Sequence, residues 1–182
     1  MHRLRALFDA LVIGAGTVRA DDPQLTTRKV EGPSPVRVVL DTNRRLHADY
    51  RVFRDGPETL LLCASDVASA DRVGHARVMR VPRAGEGLDI TAVLAVLANR
   101  GLRRVYVEGG GITVSRFLAA GALDRLHVTI APLLIGSGIP AFTLVEAATL
   151  TDGLRFDWSV HRLGEDLLVD IPLSRVRPRA AA

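Results

Sequence analysis

The segment that most constrains this chain is Val105-Tyr106-Val107-Glu108-Gly109-Gly110-Gly111, with Ile112 to Leu118 after it. A short apolar run reads as a buried strand. It passes through a carboxylate into three glycines, and then into a helical pattern. Glycine lets a backbone turn sharply and come close to a ligand. The N–H groups that open the following helix favour an anion. Glu108 adds a fixed acceptor beside them. Strand, acid, glycine turn and helix together point to a phosphate-bearing cofactor lying next to a polar substrate. Alone, the same residues could be no more than a tight strand-to-helix turn.

The rest of the chain repeats the alternation. Strands are expected at Ala10 to Ile13, Val36 to Leu40, Thr59 to Cys63, Ala76 to Val81, Val105 to Val107 and Leu126 to Ile130. Leu4 to Phe8 reads as the end of a helix, and Asp66 as the cap of a short one. Asp89 to Arg100 reads as a helix with Leu94, Leu97 and Ala98 on one face and Gly101 as its stop. Thr113 to Ala120 reads as another, ended by Gly121. Phe156 to Arg162 and Leu167 to Ile171 flank a hairpin turn at Leu163 to Asp166. Strands alternating with helices predict an α/β domain with a mostly parallel central sheet and an antiparallel C-terminal hairpin at its edge.

Composition narrows the function. At 182 residues, 48% hydrophobic and 24% charged, the chain reads as one globular domain. No apolar run approaches the length of a membrane span, and the first residues have no sustained apolar segment of a secretory signal. The single Cys63 excludes an internal disulfide, and the five histidines show no metal-ligand spacing. A cytoplasmic setting with no metal is expected. Of the 24 basic residues all but Lys29 are arginine, and they are scattered. With aromatics at 4%, a nucleic-acid surface is not expected.

A second glycine segment, Val12-Ile13-Gly14-Ala15-Gly16-Thr17, superficially resembles a dinucleotide fingerprint, which requires a helix straight after the glycines. Asp21-Asp22-Pro23 interrupts soon afterwards, and proline turns the residue before it away from helix. Gly14 to Arg28 therefore reads as a long loop at a strand's C-terminal end. Ligands of open α/β sheets bind at such ends.

Asp9 through Arg28 taken together, with Val38-Val39-Leu40-Asp41, Glu108-Gly109-Gly110-Gly111 and Leu123-Asp124 through Ile130-Ala131-Pro132 to Gly136, closely resembles the reductase domain of riboflavin biosynthesis. That domain is the C-terminal half of the bifunctional pyrimidine deaminase-reductase. The likeness runs from about residue 1 to about residue 172. It implies a dihydrofolate-reductase-like three-layer fold, NADPH as hydride donor, a phosphorylated ribosylaminopyrimidine as substrate, and a homodimer. By motif position it implies cofactor contacts at Thr17, Asp21, Thr42 and the stretch Gly110, Gly111, Ile112, Thr113, Val114, Ser115 and Arg116. It implies substrate contacts at Leu25, Arg28 and Glu108. Members of the family begin with a strand and a Ser-x-Asp-Gly-type segment ahead of the helix that opens this sequence. The expectation is thus a reductase domain over 1–175 lacking the family's first strand, and a flexible tail over 176–182.

Several residues carry two readings. Arg28 is either a solvated loop arginine or the holder of a substrate phosphate, for which guanidinium geometry is suited. Asp21 and Asp22 could cap the loop. Arg44 and Arg45 are either solvated or near a cofactor 2′-phosphate. His127 reads as structural or solvent-facing, and Cys63 as core. Two other functions stay open: a related enzyme acting on another heterocycle such as a pterin, and a truncated, inactive paralogue that binds a nucleotide.

Overall fold

The computed structural model describes residues 2–173. The expected tail over 176–182 lies outside them, as does the domain boundary at 175. In chain order the elements are α1 (His2–Arg5), β1 (Ala10–Gly14), α2 (Ala15–Asp21), β2 (Val36–Leu40), β3 (Thr59–Ala64), β4 (Arg72–Val73), β5 (Ala76–Val81), β6 (Arg83–Ala84), β7 (Gly87–Leu88), α3 (Ile90–Asn99), β8 (Val105–Val107), α4 (Gly111–Ala119), β9 (Arg125–Ile130), β10 (Ser159–Leu163) and β11 (Asp166–Pro172). Among the described residues no helix is long and apolar enough to cross a membrane.

Six strands form the central sheet in the order β4-β5-β3-β2-β1-β8. All its pairings are parallel except β4 with β5. The run Ala10-Leu11-Val12-Ile13 is buried throughout because both faces of the sheet are covered. Leu11 and Ile13 join Val39, Leu61 and Cys63 on one face, under Val18 of α2 and Phe53. Ala10 and Val12 join Val38, Leu60 and Leu62 on the other, under α3 and Phe117 of α4. Layers on both sides of a mostly parallel sheet are the architecture the alternation predicts.

The C-terminal hairpin is where it was expected, but it does not edge the central sheet. β10 and β11 pair with β9 in a separate antiparallel sheet, in the order β10-β11-β9. The antiparallel edge of the central sheet is β4 instead. Helix α4 bridges the two sheets. Its Phe117 enters the main core, while Val114 and Leu118 pack against Leu126, Val169 and Ile171 of the small sheet. The hairpin turns through Gly164 at φ 68°, where glycine avoids the penalty of a side chain.

Four local expectations need correction. Gly14 to Arg28 is not all loop, because α2 follows Gly14 directly. Pro23 restricts only Asp22, which sits at φ 38° as the left-handed cap and leaves seven residues before it free to form a helix. Asp66 caps no helix, since the Arg83 guanidinium takes both of its carboxylate oxygens and holds its carboxyl below the usual range. Residues Leu4 to Phe8 do not continue a helix beyond Arg5. In α3, Asp89 accepts from the N–H groups of Thr91 and Ala92 as expected of a cap, but the buried face is Ile90, Val93 and Leu97. The Ala98 position is exposed and Leu94 only partly covered. The apolar stripe of α3 is wide, and the sheet selects the side that carries the cap's neighbour Ile90.

The ends of β1 and β8 meet α4 through one threonine. A Cβ at Gly14 would overlap Thr113 Oγ1, and one at Gly109 would come within 2.6 Å of Thr113 Cβ. Thr113 is itself buried. Gly14→Ala should therefore destabilise the fold by about 1–3 kcal/mol. Adding Thr113→Ala removes the overlapping hydroxyl, so the double variant should lose less than the sum of the two single losses. Urea unfolding of the four proteins in that cycle checks this. Strict additivity would contradict the contact.

Candidate active site

Parallel strands bring their C-terminal ends to one edge of a sheet. Here β1 delivers Gly14, β2 delivers Leu40 and β8 delivers Val107 to the same edge. Each then leaves the sheet: into α2, into Asp41–Arg45, and into Glu108–Gly111. A cavity of about 660 Å³ opens between these three departures. Its far wall comes from Glu86 and Leu88 of the β6–β7 hairpin and from Ile139, Pro140 and Thr143.

The three glycines after Glu108 do different work. Gly109 is demanded by Thr113, as above. Gly111 is demanded by Pro140, whose carbonyl a Cβ there would overlap. Gly110 is demanded by nothing in the protein: its Cβ would meet only Thr17 Oγ1, at an ordinary 3.6 Å. Its backbone is extended at φ −65°, which any residue adopts. Its N–H donates to Thr17 Oγ1 at 3.3 Å. As the cap of α4 it leaves the first-turn N–H groups of Gly111 and Ile112 without intrahelical partners, at the wall of the cavity. An anion is favoured there by those groups and by the helix dipole.

Of the residues expected to meet a cofactor, Thr17, Asp21 and Thr42 line the cavity, as do Gly110, Gly111, Ile112, Thr113 and Arg116. Arg116 reaches it across Gly87, where a Cβ would collide with the guanidinium. Val114 and Ser115 do not line it. Val114 packs on the small sheet, and the buried Ser115 hydroxyl accepts from the Thr143 N–H at 2.7 Å. A helix turns these two positions away from the side that Ile112 and Arg116 present. Ser115 thus ties down the strand-less segment that carries Ile139 and Pro140. Of the two arginines after β2, Arg45 lines the cavity, whereas the Arg44 guanidinium turns to the Leu46 carbonyl.

None of the three residues expected to meet substrate, Leu25, Arg28 and Glu108, is among those that line this cavity. Glu108 stands two positions before Gly110. Arg5 of α1 grips it with a fork: Nε donates to Oε2 at 2.8 Å and Nη2 to Oε1 at 2.5 Å. The third donor, Nη1, reaches the Thr26 carbonyl at 3.1 Å. Both side chains are largely buried, at 10% and 14% exposure. The bond to Glu108 raises the Arg5 pKa further above its ordinary value. Phe8 stacks on Tyr106 with ring centres 5.3 Å apart, and burial beside Glu108 pushes the Tyr106 phenol up. Arg28 is exposed on the loop, its Nη1 3.4 Å from Thr26 Oγ1. Leu25 is the third residue expected to meet substrate. Its side chain is buried in the core at a backbone φ of 57°, so only its backbone can face a ligand.

Arg5 is the residue that sequence reasoning missed. It lies 103 positions from Glu108, in a four-residue helix, and no local pattern marks it. The only available signal was the unmatched carboxylate of Glu108, which needs a cation if buried. Away from this corner, His127 lies 3.3 Å from Asp170 between β9 and β11, and Cys63 is buried in the core.

Comparisons with known proteins place the same residues in one family. The family model for the RibD C-terminal domain matches residues 1–169. A 2,5-diamino-6-ribosylamino-4(3H)-pyrimidinone 5′-phosphate reductase of Methanothermobacter thermautotrophicus is 36% identical over 179 residues, covering 93% of this chain and 82% of the relative. The enzyme of the same name from Archaeoglobus fulgidus is 32% identical over 187 residues, covering 96% and 84%. The riboflavin biosynthesis protein RibD of Mycobacterium tuberculosis is 33% identical over 176 residues, but this chain spans only 44% of its length. Among solved structures, the bifunctional deaminase/reductase of Thermotoga maritima aligns with a TM-score of 0.77 and 26% identity, over 94% of this chain and 47% of that one. A yeast riboflavin biosynthesis reductase aligns with a TM-score of 0.75 at 21% identity, covering 94% and 77%, which speaks to the fold.

The different contacts of Gly110 and Gly111 give a test. Gly111→Ala should cost about 1–3 kcal/mol of stability by overpacking against the Pro140 carbonyl. Gly110→Ala should stay within about 0.5 kcal/mol of the parent. Denaturant unfolding of both variants decides it, and an equal loss in the two would show that the glycine roles are misassigned.

Proposed function

This chain belongs to the RibD C-terminal domain family and is an oxidoreductase, and we propose that it reduces a phosphorylated ribosylaminopyrimidine at the cost of NADPH in riboflavin biosynthesis. The observation that carries the reading is the join between two sites. One turn, Glu108 to Gly111, holds the clamped carboxylate at one end and the opened helix N-terminus at the other. A dinucleotide and a sugar can therefore meet on it.

The residues present fit the cofactor. The cavity lies at the C-terminal ends of parallel strands, where open α/β sheets take nucleotides. Gly110 leaves room for close approach, and Arg116, Arg19 and Arg45 supply positive charge at the walls. The first turn of α4, with Thr17, would hold the pyrophosphate. Thr42, Arg45 and Asp21 would meet the remainder. NADPH, when bound, supplies the hydride that converts the ribosyl group to a ribityl chain. The protein's part is to bind and align.

Glu108 is held in place by the Arg5 fork, and its carboxylate serves as an acceptor for sugar hydroxyls. The Arg5 bond to the Thr26 carbonyl carries that same positioning to the loop that bears Arg28. Arg28 would take the phosphate, a role supported by its exposure and its single long contact with Thr26. Homodimerisation in a cytoplasmic setting completes the reading. Its support is the exposed apolar surface between β9 and β10, which includes Leu133, Leu134, Ile135 and Trp158.

Three outcomes test the proposal. Gly110→Ala should leave the melting temperature unchanged and weaken NADPH binding at least tenfold, about 1.4 kcal/mol. Unchanged affinity in a fluorescence titration would remove the pyrophosphate from that turn. Arg28→Ala should raise KM for the phosphorylated substrate by a factor worth about 1.5–3 kcal/mol and spare NADPH affinity. An equal penalty on the dephosphorylated substrate would refute its role. Glu108→Gln keeps the shape but loses the charge that Arg5 holds, so turnover should fall with NADPH affinity intact. Parent-like turnover would show that Glu108 is only structural.

A further inference from the structure

Along the C-terminal edge of the central sheet the strands run β5-β3-β2-β1-β8. On the proposed function, the hydride end of the dinucleotide lies toward the Glu108 turn after β8, and the pyrophosphate lies on Thr17 and the first turn of α4. The adenosine end then falls on Asp41 to Arg45, the segment that follows β2. That segment is fixed from within. Arg44 N–H donates to the Asp41 carbonyl at 2.9 Å, and Ala64 N–H at the end of β3 donates to the Thr42 carbonyl at 3.0 Å. Asp41 is buried, and its Oδ2 accepts from Leu46 N–H at 2.8 Å. Arg44 stands at φ 55° with its guanidinium on the Leu46 carbonyl. Asn43 and Arg45 are exposed, and both line the cavity.

Asn43 is held by a side chain that does not line the cavity. Arg83, the first residue of β6, forks onto Asp66 just after β3: Nε donates to Oδ2 at 2.8 Å and Nη2 to Oδ1 at 3.0 Å. Its remaining group, Nη1, donates to Asn43 Oδ1 at 3.1 Å. A guanidinium has donors and no acceptor, so only the amide oxygen of Asn43 can face it. The amide nitrogen is thereby turned away from Arg83, and it makes no hydrogen bond among the described residues. Arg45 forms no hydrogen bond or ion pair among them either. An amide donor and a cation thus stand close together in the chain at the cavity wall. Their backbone is already in place, so little ordering is left for binding to supply.

On the nucleotide reading of this cavity, we infer that Asn43 and Arg45 together receive the cofactor's 2′-phosphate, and that Arg83, braced on Asp66, is the positioning residue that aims the Asn43 amide. Cofactor choice follows from the same groups. In sheets of this kind an acid after a strand takes a ribose 2′-hydroxyl, whereas a 2′-phosphate is accommodated by a nearby arginine. Here the acid in that place, Asp41, is buried with Oδ2 on Leu46 N–H, and the exposed side chains after it include Asn43 and Arg45. Hydrogen bonds from an amide and a guanidinium to a phosphate are charge-assisted, which makes them the stronger kind. NADPH therefore binds in preference to NADH, and part of that preference is set by Arg83 from outside the cavity.

The probes are 2′,5′-ADP and 5′-AMP, which differ only in the 2′-phosphate. In calorimetric titrations of the full chain, 2′,5′-ADP should bind about tenfold tighter than 5′-AMP or better. Asn43→Ala should remove most of that preference by weakening 2′,5′-ADP and sparing 5′-AMP. Asn43→Asp should abolish it, because an acid replaces the donor. Arg83→Met frees the Asn43 amide to turn over. Equal occupancy of its two orientations halves the competent fraction, so 2′,5′-ADP should weaken by roughly twofold or more, again with 5′-AMP spared. In the Asn43→Ala background, Arg83→Met should leave the preference where it is. A merely structural role would instead weaken both nucleotides in both backgrounds. In NMR spectra the side-chain amide signals of Asn43 should shift with 2′,5′-ADP and stay in place with 5′-AMP.

Any of three results would overturn the inference: equal affinity of the parent for the two nucleotides, a parent-like preference in Asn43→Ala, or a parent-like preference in Arg83→Met. The substituted side chains are exposed or partly exposed, and far-UV circular dichroism confirms folding of the variants. None of these measurements depends on hydride transfer. Binding of both nucleotides without preference fails the inference alone, whereas a chain that binds neither of them nor NADPH fails the nucleotide reading and the inference with it. Selective binding by a chain that reduces no pyrimidine fails the reductase reading and leaves the inference standing.

Discussion

The close approach of β1 and β8 at their C-terminal ends is the constraint on which the rest of this structure depends. Two strands far apart in sequence lie side by side in parallel, and each must leave the sheet at the same edge. Thr113, on the first turn of α4, fills the space between their exits. It does so only because Gly14 and Gly109 have no side chains. A larger residue at either glycine would overlap Thr113, so α4 could not keep this seat on the sheet. The cavity is thus a consequence of packing, with its anion-favouring N–H groups exposed because the helix starts there.

The Arg5–Glu108 fork depends on the same geometry and extends it. Glu108 follows β8 directly, so its carboxylate is carried to the sheet edge and partly out of water. A carboxylate so placed needs a cation, and truncating either member of such a pair costs on the order of 3–5 kcal/mol because the other stays buried and unpaired. The fork also leaves Arg5 Nη1 to donate to the Thr26 carbonyl, which ties the loop that bears Arg28 to the same side chain. Arg37 holds the same loop from below. Buried at 1% exposure, it donates to Thr59 Oγ1, to the Pro57 carbonyl and, at 3.4 Å, to the Gln24 carbonyl. Burial pulls its pKa below the ordinary value, since carbonyls solvate the guanidinium less well than water. Two arginines on the carbonyls either side of Leu25 account for its left-handed backbone being held in place.

What could be read from the amino-acid order was whatever is local. The strands announced themselves as short apolar runs, Asp89 and Gly101 as the ends of a helix, and Gly164 as a hairpin turn. The glycine turn after Glu108 carried enough local chemistry to point to an anion. The missed features are those decided by distant partners. Helix α2 was obscured by Pro23, whose effect reaches back only to Asp22. The buried face of α3 was chosen by the sheet and not by the helix. The hairpin found β9 instead of the central sheet, because α4 offers Val114 and Leu118 for it to cover. Arg5 and Arg37 looked like ordinary basic residues, and only the fold brings them to their carboxylate and carbonyl partners. Ser115 sat inside a stretch read as cofactor contact, yet the helix turns it inward to Thr143.

The account stands or falls on whether one turn joins a nucleotide cavity to the clamped carboxylate. The most direct measurement is an amide NMR titration of the full chain with NADPH. Shifts should concentrate at Thr17, Thr42 and Gly110 to Thr113, extend to Glu108 beside them, and leave the β9–β11 sheet quiet. Shifts confined to other surfaces, or none at NADPH concentrations that saturate a reductase, would contradict it.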